Sequence, residues 1–78
     1  MATPPTSGER WRVVHVNEYL STENEHGDLT VEAAAYKADD YTGLGADTIL
    51  SDLAEVDPWV HEDPETGATT TVHREVSP

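Results

Sequence analysis

The sequence predicts a small α+β domain: three helices followed by a C-terminal β-hairpin. Three observations lead there. An alanine-rich run, Ala33-Ala34-Ala35, follows a cap signal at Thr30. Ile49, Leu50, Leu53 and Val56 form a compact stripe at helical spacing. Two β-rich runs flank Asp63-Pro64-Glu65-Thr66-Gly67, which carries strong turn chemistry. With 78 residues the chain fits one domain and one core.

Taken in order, residues 1–8 read as a flexible tail, because Pro4, Pro5 and the absence of large apolar residues after Met1 give it nothing to bury. The domain then spans 9–78. Thr6-Ser7-Gly8-Glu9 has the form of a capping box. From Arg10 to His26 a first helix is expected, with Val13, Val16, Tyr19 and Leu20 on one stripe, Trp11 and His15 on a neighbouring face, and Gly27 as its stop. The alternative is a strand, in which Trp11, Val13 and His15 alternate with Arg12, Val14 and Val16. The length of the segment and the signals at both its ends favour the helix.

The second helix, over Asp28 to Tyr41, takes Thr30 as N-cap and Glu32 in its first turn. Asp39, Asp40, Thr42, Gly43 and Gly45 end it. The third runs from Ala46 to Val56 with Asp47 as N-cap, and Pro58 stops it. Trp59 to Glu62 and Thr69 to Val76 are the hairpin strands.

Composition restricts the function. Sixteen Asp and Glu stand against four Lys and Arg, a net charge of -12. Twenty large apolar residues make a thin core, which salt, self-association or a partner would supplement. No Cys means no disulfide, thiol nucleophile or thiolate metal site, and favours an intracellular, cytoplasmic setting. No apolar run approaches the ~18 residues of a membrane span, so no membrane partner is expected. The first residues lack the basic and apolar regions of a signal peptide. Lys37 is the only lysine, and threonine numbers ten. Acid excess, scarce lysine, and Ala, Val and Thr in place of Ile and Phe resemble proteins of halophilic archaea or their viruses. An ordinary acidic protein of a GC-rich bacterium or phage is the alternative. In molar salt, repulsion among the carboxylates is screened within ~3 Å.

The order of elements, with Leu29-Thr30-Val31-Glu32-Ala33-Ala34 opening one helix and Asp47-Thr48-Ile49-Leu50-Ser51-Asp52-Leu53 forming the next, resembles a winged helix-turn-helix domain. The resemblance covers residues 10–76 and implies a winged-helix-like fold whose hairpin is the wing. The stretch Tyr36 to Ala46 is longer than in compact members, and the first helix is valine-rich. The would-be recognition helix carries Asp47, Asp52 and Glu55 and no Lys or Arg.

Winged-helix domains usually place the third helix in the major groove, and DNA affinity depends on neutralising phosphates. An acidic third helix argues instead for a protein partner with a basic surface, in a regulatory or inhibitory role in transcription, replication or a phage–host setting. Asp47, Thr48, Ser51, Asp52, Glu55, Trp59, His61, His73 and Arg74 are the candidate contacts. The alternative is a DNA-binding regulator adapted to high salt, touching phosphate through Thr48, Ser51, Thr69, Thr71 and Arg74.

The residues argue against an enzyme or a cofactor. His61 and His73 match no standard metal spacing and read as solvent-facing. Carboxylate pairs such as Asp39-Asp40 and Glu62-Asp63 are expected by chance among so many acids. Gly43-Leu44-Gly45 has no following Lys and reads as a turn. Trp11 and Trp59 divide between core and interface, where tryptophan is enriched at hot spots.

Overall fold

The computed structural model describes residues 9–75. The proposed tail, the capping box at Thr6 and Val76 of the last strand lie outside them. Six elements follow in order: β1 (Trp11–Asn17), β2 (Thr22–Leu29), α1 (Val31–Thr42), α2 (Ala46–Leu53), β3 (Trp59–Glu62) and β4 (Ala68–Arg74). The strands form one antiparallel sheet in the order β2-β1-β4-β3. Both helices pack on one face of it.

This overturns the expected architecture of three helices and a wing. The segment 10–26 is not a helix: β1 and the first half of β2 occupy it. Val13, Val14 and Val16 are β-branched and sit better on a pleated surface than on a helix. The deciding contribution is tertiary, because β1 pairs along its whole length with β4, from Trp11 opposite Arg74 to Asn17 opposite Ala68. The C-terminal hairpin is therefore half of the central sheet and not a wing projecting from a helical body.

Alternation along β1 turns Trp11 and Val13 into the core and Val14 and Val16 to the other face. Tyr19 and Leu20, placed by the helical reading on one stripe with Val13 and Val16, sit in the β1–β2 loop in solvent. Against β1, β2 carries a bulge: Gly27 and Asp28 lie opposite the single residue Arg12. Asp28 takes a left-handed φ of 58° there. A Cβ at Gly27 would come within 2.8 Å of the Arg12 guanidinium, so a larger residue there would displace the end of that side chain.

Helix α1 follows its local signals closely, and α2 does so only in its apolar stripe. The Thr30 hydroxyl accepts the Ala33 backbone N–H at 3.1 Å and caps α1. Gly43, left-handed at φ 71°, ends it. Ala34, Ala35 and Ala38 are buried and let α1 approach the sheet and α2 closely. The N-cap of α2 is Gly45, which offers no side-chain cap, so Asp47 lies in the first turn and is not the N-cap. It ends at Leu53, before Pro58 is reached. Ile49 and Leu53 pack against Trp11, Trp59 and Val72. Tyr41 ties the end of α1 to the first hairpin through His15 and His26. No described helix is long and apolar enough to cross a membrane.

Candidate interaction surfaces

The sequence-predicted contact residues do not share one surface. Asp47, Thr48, Ser51 and Glu55 are exposed on or just beyond α2. Asp52 is turned inward, accepting the Trp59 indole N–H at 3.3 Å. Trp59 is core, 6% exposed. His61 lies half-buried beside the Trp59 ring, on the helix side. His73, Thr69 and Thr71 alternate with the buried residues of β4 and so occupy the opposite face. His61 and His73 are thereby separated by the sheet. The proposed phosphate contacts divide in the same way, with Thr48 and Ser51 on the helix side and Thr69 and Thr71 behind the sheet.

The arginines are already engaged. Arg10 pairs with Asp28 at 2.9 Å, and Arg74 with Glu9 at 3.3 Å. Arg12 bridges Glu25 and Glu75. Glu75 is held below its ordinary pKa, first because it accepts the Asp28 backbone N–H; burial opposes this, and the hydrogen bond and charge of Arg12 lower it further. The Glu75 hydrogen bond raises the Arg12 pKa in turn. Among the described residues Lys37 is the one Lys or Arg without an ion pair. Of sixteen side-chain carboxylates, Glu9, Glu25, Asp28 and Glu75 are paired and twelve have no ion pair among the described residues. A phosphate backbone would have to compete for arginines that acids already hold.

Among the described residues the most exposed large apolar side chain, Tyr19, is at the tip of the first hairpin with exposed Leu20 beside it, while Tyr36, at 65%, stands alone on α1. Asn17 pairs with Thr22 on one side and Ala68 on the other, which brings the β1–β2 and β3–β4 turns to the same end of the sheet. In the first turn the Ser21 N–H donates to the Glu18 carbonyl at 3.2 Å, and the Leu20 N–H to Asn17 Oδ1 at 3.1 Å. Ser21 closes the loop in a left-handed conformation, φ 54°. This backbone displays Tyr19 at 87% and Leu20 at 63% exposure. Beside them Glu65 and Thr66 complete a shallow depression of about 360 Å³. The second turn is equally fixed: Asp63 Oδ1 accepts the Glu65 N–H at 2.8 Å, and Gly67 takes φ 72°. Glu18 and Glu65 therefore flank an apolar pair on two hydrogen-bonded turns.

No protein-family model, curated protein or solved structure matches the chain. The site thus rests on the geometry alone. Behind the sheet, a flatter face carries Val14, Val16, Thr69 and Thr71, with Val60 52% exposed. The row through Val16 and Thr69 ends in Glu23 on one side and Glu62 on the other. Sequence reasoning missed the tip because it placed Tyr19 and Leu20 on the apolar stripe of a helix. The signal available was local: Asn17 and Ser21 are turn formers bracketing the pair.

Proposed function

We propose that this domain is a small, non-enzymatic interaction module that docks on a basic protein surface, with Tyr19 and Leu20 as its anchor. The observation that carries the reading is the exposure of those two side chains on a hydrogen-bonded, acid-flanked tip. A hairpin turn has no structural need for a large aromatic and a leucine, whose burial in a partner would remove them from water. Tyrosine is also among the residues that dominate interface energetics. The twelve carboxylates with no ion pair among the described residues favour a cationic partner, speed its encounter and disfavour acidic competitors. A regulatory or inhibitory role fits a module that occupies a basic surface.

The test is capture from the native source, in native salt, by the wild-type chain and by a Tyr19→Ala/Leu20→Ala variant. A basic protein retained by the wild type and lost by the variant supports the reading. Truncating one hot-spot side chain costs about 2 kcal/mol or more, so a purified partner should bind the variant at least ~30-fold more weakly. Equal retention by both chains overturns the tip as anchor. Sequence-specific DNA retention in place of a protein overturns the partner class.

A further inference from the structure

At the end of the sheet away from the hairpin tips, a cavity of about 240 Å³ opens between α2 and the start of β1. Trp11, Val31, Leu50 and Leu53 line it, with Glu9 and Arg74 at its edge. The Trp11 side chain is 2% exposed, and its indole N–H has no acceptor among the described residues. Trp59 differs, since its N–H donates to Asp52. A buried donor left unpaired is costly, and native proteins rarely tolerate one without a reason.

We infer that this cavity is a binding site for an apolar residue of a peptide chain, whose backbone carbonyl accepts the Trp11 indole N–H. The apolar walls take the side chain. The ligand is uncharged at this point: Glu9 and Arg74 already neutralise each other at 3.3 Å, and the chain's charge of -12 repels a free carboxylate. Arg74 lies over the Trp11 ring, 5.2 Å from its centroid, and is half exposed. The N–H itself is covered, so an acceptor reaches it when a side chain at the edge moves. The site is separate from the Tyr19–Leu20 tip and does not depend on it.

The experiment follows the two indole N–H signals of the full-length ¹⁵N-labelled chain by NMR, with N-acetyl-leucinamide as the probe. The Trp11 signal should move downfield and saturate while the Trp59 signal stays. N-acetylglycinamide, lacking the side chain, should bind at least about tenfold more weakly, because one isobutyl group is then not buried. N-acetyl-leucine, with its carboxylate, should also bind more weakly than the amide. Ala54→Phe, at an exposed position on the same cavity, fills the space and should abolish the shift with the fold intact. A Trp11 signal unmoved by the probe overturns the inference. So does an equal response to the glycine compound, an unchanged response in Ala54→Phe, or an indole proton already hydrogen-bonded in the free protein.

Discussion

The imidazole of His15 lies flat on the ring of Tyr41, 4.1 Å between centroids and 4° between planes. The same tyrosine hydroxyl is 2.7 Å from His26 Nε2, and His15 Nδ1 shares a hydrogen bond with the buried Thr70 hydroxyl at 2.9 Å. One side chain near the end of α1 is thus bound to both strands of the first hairpin, and through His15 to β4.

Separating the ring from its hydroxyl gives a graded expectation. Tyr41→Phe keeps the stack and loses the His26 hydrogen bond, costing about 1 kcal/mol. Tyr41→Ala loses both and costs at least about 2 kcal/mol. Denaturant melts at fixed pH measure the difference, and equal losses in the two variants would contradict the arrangement.

Acid should weaken the fold through Glu75. Its folded pKa lies below the ordinary 4.5, so its contribution is fully present above that value. The contribution is lost as pH falls through the depressed folded value. Glu75→Gln should be less stable than wild type at pH 7, and the gap should close on acidification below 4.5. A gap that is constant with pH would show that the charge is not involved.

Salt should act in the opposite direction from what isolated surface ion pairs would predict. Among the described residues four salt bridges are weakened by screening, whereas mutual repulsion among the twelve carboxylates with no ion pair there is relieved by it. Repulsion involves more groups, so melting in 2 M KCl should occur at a higher temperature than in 0.1 M. A flat or falling melting temperature would reverse that ranking.

The tight seat of α1 should reject added volume. Ala35 is 1% exposed, and Ala35→Leu should cost about 1–3 kcal/mol by overpacking. At the tip the expectation is the reverse. Tyr19→Ala and Leu20→Ala touch no core and should leave stability within about 0.5 kcal/mol, so any loss of binding there reports on contact and not on folding. Thermal melts of the three variants decide both points.

Some local signals are reliable guides, while the Gly27 stop and the Asp47 cap are not. Thr30, Gly43, the Ile49–Leu53 stripe and the Asp63–Gly67 turn each act within a few residues, and the elements they mark are present. The first hairpin is different. Val13, Val16, Tyr19 and Leu20 satisfy a helical wheel by coincidence of spacing. Strand β2, with Leu29 as its one large apolar residue, shows no alternation because it is an edge strand with solvent around it. What fixes β1 as a strand is β4, more than fifty residues away, and no window of local sequence contains that pairing. The same error hid the candidate anchor, since a helix would have buried the two residues that the turn exposes. The Trp11 cavity was hidden for another reason: its walls come from β1, both helices and β4.

The central pairing of β1 with β4 also sets a timetable. A chain made from its N-terminal end produces β1 first and β4 last of all the elements. Until β4 arrives, the inner edge of β1 has no partner and Val13 and Trp11 have no complete core. The first hairpin and α1 must wait, loosely held, for the final strand. Closure over so long a loop is slow, and the waiting hairpin offers an open valine-rich edge to any neighbouring nascent chain. For this domain the vulnerable period is therefore biosynthesis, and shortening β4 should block folding altogether, whereas trimming the charged edge strand β2 would only weaken it.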